Sequence, residues 1–100
     1  MSADKDQLRS EAINLTALQG ERLREIGAYL RQTRLDRQVS LEDIRQQTFI
    51  QVYQLHAIET GDLQVLPEPV YVQGFIKKYA IALGLNGQEL ATSFPVSRPR

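Results

Sequence analysis

Apolar residues recur along this chain at helical spacing, and no stretch of useful length alternates as a half-buried strand would. The pattern predicts an all-α fold. Leu8, Ala12 and Leu15 stand at i, i+4 and i+7, which predicts a short amphipathic arm helix that frays at its polar start and stops at Gly20. Leu23, Ile26, Leu30 and Thr33 then mark a longer first core helix ending near Arg37. Ser40 is a good N-cap, and Asp43 three residues on completes a shortened capping box, so a short second helix is expected over 41–47. A brief turn at Thr48 and Phe49 leads into a third helix over 51–60, stopped by Gly61. Pro67 and Pro69 sit where a helix start tolerates a missing N–H, so a fourth helix runs over 69–83 and Gly84 closes it. Asn86 caps a fifth that ends before Pro95. The chain thus divides into a partly helical arm at 1–20, a domain at 21–94, and the start of a linker at 95–100.

Two short helices joined by a tight turn and packed under a longer one make a helix-turn-helix arrangement, here a five-helix bundle with an N-terminal arm helix. Ile44, Ile50, Leu55 and Ile58 occupy the apolar positions that hold the two short helices at a steep angle. Two positions depart from the usual pattern. Where a small residue and a turn glycine are common, this chain has Arg45, whose charge can snorkel outward along an apolar stem, and Phe49.

The fourth helix carries two stripes. At about 100° per residue, Val72, Ile76, Tyr79 and Leu83 share one and are expected to be buried, while Tyr71, Phe75, Lys78 and Ala82 share another about a quarter turn away. An apolar second stripe on a small helix needs a partner.

One hundred residues, 42% of them hydrophobic, allow one compact module and leave no room for a separate catalytic domain. With no cysteine, the chain has neither a disulfide framework nor a thiolate site. His56 stands alone with no ligand set around it, and no nucleophile, phosphate-binding loop or paired acid is recognisable, so no metal, cofactor or enzymatic activity is expected. The net charge is zero, but it is unevenly placed. Residues 21–39 carry five arginines against three carboxylates, whereas residues 40–70 carry Arg45 alone against Glu42, Asp43, Glu59, Asp62 and Glu68. After Tyr71 the balance turns basic through Lys77, Lys78, Arg98 and Arg100. No signal peptide and no apolar run of transmembrane length is seen.

The run 26–34, Val39 to Ile44, Ala57-Ile-Glu-Thr-Gly-Asp62, Leu66-Pro67 and the stretch from Val70 through Phe75 to Ala80, followed by Leu83-Gly-Leu85, resembles the cytoplasmic domain of the RodZ family of bacterial cell-shape proteins. The likeness covers about residues 22–94; its first half is shared with many helix-turn-helix repressors, and its second half is the more specific. The resemblance implies a helix-turn-helix-like bundle in the cytoplasm, joined through a linker to one inner-membrane span that would lie beyond Arg100. It implies that the partner is the actin-like filament protein MreB, contacted by the aromatic pair of the fourth helix, which is Tyr71 and Phe75 here. Gln73 departs from the family, which often has Arg there. Aromatic stripes at helical spacing are usually core, and without the resemblance burial is the favoured reading of both rings. Lys77 and Lys78 would by default be a solvated face; their place beside the stripe makes them candidate partner contacts.

The rival function is sequence-specific DNA binding by a transcriptional regulator. A third helix in the major groove would present Gln51, Tyr53 and Gln54, and glutamine can read adenine with two hydrogen bonds. Affinity for a duplex, however, comes mainly from neutralised phosphates. The third helix has no Lys or Arg and lies in the acidic part of the chain, so nucleic acid is the less favoured partner.

Overall fold

The computed structural model describes residues 2–97, with side chains from Asn14 onward. Every regular element among them is helical: α1 (Ser2–Asp36), α2 (Leu41–Thr48), α3 (Val52–Thr60), a single 3-10 turn (Leu63–Val65), α4 (Pro69–Ala82) and α5 (Gly87–Thr92). The all-α, five-helix reading holds. α1 packs along α3, α4 packs on α5, and α2 bridges α3 and α4.

The expected stop at Gly20 does not occur. α1 runs through it for 35 residues, a length of about 52 Å at 1.5 Å per residue. Glycine inside a helix costs only about 1 kcal/mol relative to alanine, and good helix formers flank it on both sides. The arm and first core helix are therefore one rod. Gln19, one residue earlier, is buried and its Nε2 donates to the Pro95 carbonyl oxygen at 2.9 Å, so the rod is tied to the end of the bundle. Val96 also packs against the core. The side chains of Leu8 and Ala12, and residues Arg98 to Arg100, lie outside the described residues.

Caps behave as their residue chemistry requires. Ser40 Oγ accepts from Asp43 N at 3.0 Å while Ser40 N donates to Asp43 Oδ2 at 3.1 Å, completing the box. Asn86 Oδ1 accepts from Glu89 N at 3.1 Å at the start of α5. Gly61 takes the left-handed conformation that ends α3, at φ 73°. The 3-10 turn was not expected from the sequence; it fills the space between Gly61 and Leu66 and lays Leu63 against the core.

The core gathers Leu23, Ile26 and Leu30 from α1 with Ile44, Leu55 and Ile58 from the two short helices, and with the α4 stripe. Phe94 closes the far end. α1 and α3 approach so closely at Gly27 that a side chain there would collide with the Ile58 carbonyl group. The contact draws Arg34, further along α1, toward the C-terminal end of α3.

Candidate protein-interaction face

α4 begins with Pro69 at its first turn, where no intrahelical N–H is lost. Val72, Ile76, Tyr79 and Leu83 are buried, as their spacing predicts. Tyr79 is also locked by charge. Glu59, on α3, accepts from Arg34 Nε at 2.7 Å and Arg34 Nη2 at 3.1 Å, and from the Tyr79 hydroxyl. Burial, reinforced by the Glu59 carboxylate, pushes the Tyr79 phenol well above its ordinary range. The hydrogen bond to Glu59 raises the Arg34 guanidinium as well, so the proton stays on arginine. Arg34 Nη1 donates further to the Val39 carbonyl oxygen at 3.0 Å, reaching the turn between α1 and α2. Three helices thus converge on the one buried carboxylate of Glu59. The orientation of α4 is fixed from inside.

That orientation decides what α4 offers to solvent. A Cβ on Gly74 would meet nothing within 4 Å, which marks the middle of the outward side. Around it stand Val70, Tyr71 at 60% exposure, Ile81 at 57%, and the exposed Lys77 and Lys78. Neither lysine has an ion-pair partner among the described residues. Phe75 and Ala82, two turns apart, are only partly exposed and pack against the core. The second stripe read from the sequence therefore splits. Tyr71 and Lys78 face outward, while Phe75 sits on the seam where α4 meets its neighbours. Gln73 is turned the other way, its Nε2 donating to the Phe94 carbonyl oxygen at 3.0 Å, so it serves α4–α5 packing.

The outward side of α3 has different chemistry. Gln51 is its N-cap residue and is exposed, Tyr53 is exposed, and Gln54 is half-buried. Val52, Tyr53, His56 and Thr60, with Leu41 and Val65 beside them, line an apolar concavity of about 590 Å³ whose one charged wall is Asp62. No cation lines it. Arg45, the lone basic residue of α2, lies on the surface paired with Glu42, Arg45 Nε donating to Glu42 Oε2 at 2.8 Å. Its stem does carry the charge outward, as expected.

The model of the helix-turn-helix domain family matches residues 29–90, which takes in the end of α1, both short helices, α4 and the start of α5. The chain belongs to the helix-turn-helix domain family. Within it, this domain is RodZ-like: it is 40% identical over 67 residues to the cytoskeleton protein RodZ of Streptococcus pneumoniae, a match covering 67% of this chain and 24% of that protein. It is 42% identical over 52 residues to the uncharacterized membrane protein YmfM of Bacillus subtilis, covering 52% of this chain and 18% of that one. The chain spans about a quarter or less of the length of these relatives. No solved structure matches it significantly.

In this helix-turn-helix domain, sequence reasoning singled out Tyr71, Lys77 and Lys78 on the side that proves outward, and missed Val70, Gly74 and Ile81. Gly74 was the available signal: a glycine in mid-helix, opposite the buried stripe by its spacing. Among the described residues no group of His, Cys, Asp and Glu could hold a metal ion, and no helix is long and apolar enough to cross a membrane.

Proposed function

We propose that this domain is the cytoplasmic docking module of a membrane-anchored bacterial cell-shape protein, and that it binds the actin-like MreB filament through α4, without catalysis of its own. The observation that carries this reading is the outward side of α4. A helix whose apolar stripe is already buried still exposes Val70, Tyr71 and Ile81 beside two unpaired lysines. Aromatic residues anchor many protein interfaces, and the lysines suit an acidic counterpart. The likeness to a protein named for the cytoskeleton and to one named for the membrane supports the cellular setting. Tyr71 is the exposed anchor in this reading, Phe75 braces it from the seam, and Lys77 and Lys78 add charge.

The test is co-sedimentation with polymerised MreB. The variant Tyr71→Ala with Phe75→Ala is expected to stay helical by circular dichroism and to bind more weakly by about tenfold or more. A folded double variant that binds as the parent does removes the aromatic pair from the site. Duplex DNA provides the contrast, because phosphate-driven affinity falls steeply with salt. Binding to filaments is expected to weaken only modestly from low to moderate salt, with no duplex binding at physiological ionic strength. Nanomolar, sequence-selective duplex binding abolished by Gln51→Ala or Tyr53→Ala would instead establish the regulator reading.

A further inference from the structure

Phe49 stands where the core gains nothing from it. It is the C-cap of α2 in the left-handed region, at φ 61°, and the residue is 84% exposed. Glycine would sit there without strain, whereas a bulky side chain is an outlier in that region. Neighbouring atoms hold the turn in place. Phe49 N donates to the Arg45 carbonyl oxygen at 2.7 Å, and the buried Thr48 Oγ1 donates to the Ile44 carbonyl oxygen at 2.8 Å while accepting from Ile50 N at 3.2 Å. The turn's hydrogen bonds are made by backbone atoms and by Thr48, none of which needs a phenyl ring at position 49.

The ring borders α4. Phe49 shares a concavity of about 320 Å³ with Thr48, Lys78, Ile81 and Ala82. Two of its walls are exposed hydrophobic side chains, and its charged member is Lys78, which has no ion-pair partner among the described residues. No carboxylate lines it. The concavity continues the outward side of α4: Lys78 belongs to both, and ten residues, about 15 Å of helix, separate Tyr71 from Ile81.

We infer that Phe49 and Ile81 form a second apolar anchor of the α4 docking face, receiving an apolar side chain of the partner whose neighbouring Asp or Glu meets Lys78. The inference rests on the reading that α4 docks on the MreB filament. Charge selects the occupant: apolar walls with one unpaired cation between them favour an acidic, apolar segment and oppose a basic one. The partner surface accordingly presents two apolar contacts about 15 Å apart with acid near the second, a span of about ten helical residues. Strain at Phe49 is then the local cost of holding an aromatic ring clear of the core, as strained backbone often is at functional positions.

Phe49→Gly separates binding from folding, because glycine suits the turn. Co-sedimentation of the 100-residue chain with polymerised MreB should show Phe49→Gly weakened by about tenfold or more with a melting point equal to the parent's or higher. Ile81→Ser should weaken binding similarly, and Lys78→Glu should weaken it more than Lys78→Gln. If Phe49→Gly binds like the parent while Tyr71→Ala with Phe75→Ala has lost binding, the second anchor is overturned and the α4 reading stands. The opposite pattern keeps the anchor and discards the aromatic pair. A parent chain that does not bind filaments overturns both.

Discussion

Replacing Glu59 by alanine is expected to remove much of this domain's stability. The Glu59 side chain is 2% exposed and that of Arg34 is 11% exposed, so the pair is largely shielded from water. Arg31 Nε approaches the same carboxylate only to 4.0 Å and is itself mostly solvated, so it adds little. Without the carboxylate, Arg34 keeps the Val39 carbonyl oxygen and the neighbouring Tyr79 oxygen, and the buried Tyr79 hydroxyl loses the acceptor of its proton. Breaking a buried ion pair from one side costs about 3–5 kcal/mol, because the other charge stays uncompensated. A stranded hydroxyl alone costs about 1–3 kcal/mol, but the two share one acceptor and do not add in full. A loss of about 4 kcal/mol is therefore expected, against a total of about 5–15 kcal/mol for a small domain. At about 4–8 °C per kcal/mol for this size, the melting point should drop by roughly 15–30 °C. Urea titration followed by circular dichroism measures the loss, and the triple replacement Arg34→Met, Glu59→Leu, Tyr79→Phe is expected to recover most of it, since no charge is then stranded. If Glu59→Ala lies within about 1 kcal/mol of the parent, the network contributes no more than a surface pair does, and the account of how α4 is oriented fails.

Gly27→Ala would raise stability slightly in an isolated helix but should lower it here by about 1–3 kcal/mol, since the methyl group meets the Ile58 carbonyl; a raised melting point would show that α1 and α3 are not this close. Ile76→Ala should cost about 2–5 kcal/mol and Tyr71→Ala less than about 0.5 kcal/mol, because one side chain is enclosed and the other open. The reverse order in denaturant titrations would mean that the two faces of α4 are exchanged. Tyr79, whose phenol is raised above its ordinary 10.0, favours the folded state in its neutral form, so its contribution is complete below that pH and is lost as pH climbs beyond it. Urea midpoints measured from about pH 9 to 11 should fall more steeply for the parent than for Tyr79→Phe, and parallel curves would count against a buried, neutral phenol.

Features that depend on a few adjacent residues were legible in the sequence, and those that depend on where helices meet were not. Ser40 with Asp43, Asn86, Gly61 and Gly84 act within one turn of themselves, so residue type and spacing sufficed to place them. The buried stripe of α4 needed only the helical period. Gly20, by contrast, was read as a stop because glycine often ends helices; stopping also requires the left-handed conformation, which nothing in the flanking sequence demands. Arg34 and Glu59 are 25 residues apart, and their pairing depends on an approach between α1 and α3 that Gly27 permits. A glycine on the apolar stripe of a helix, as Gly27 is between Leu23 and Leu30, is the trace such an approach leaves in sequence. Phe75 is half-buried although it shares a stripe with the exposed Tyr71, because the neighbours of α4 define which of its edges is covered, and a single helix's periodicity carries no record of that.

The same packing bears on why a protein partner rather than DNA is proposed for this helix-turn-helix scaffold. A recognition helix needs cations near the groove, since each phosphate neutralised adds to affinity and to its salt dependence. α3 has no Lys or Arg among its nine residues, its outer concavity ends at Asp62, and the basic side chain of α2 is tied to Glu42. Arg34, on the helix that lies against α3, is directed inward to Glu59. α4 carries exposed positive charge beside exposed apolar surface, and a standard docking geometry would keep that helix away from the groove. Adding lysines to α3 alone would therefore not produce a DNA reader: the exposed Tyr53 and Val52 would still present apolar surface to the duplex, and Phe49 would still project from the turn that a groove-bound helix needs clear.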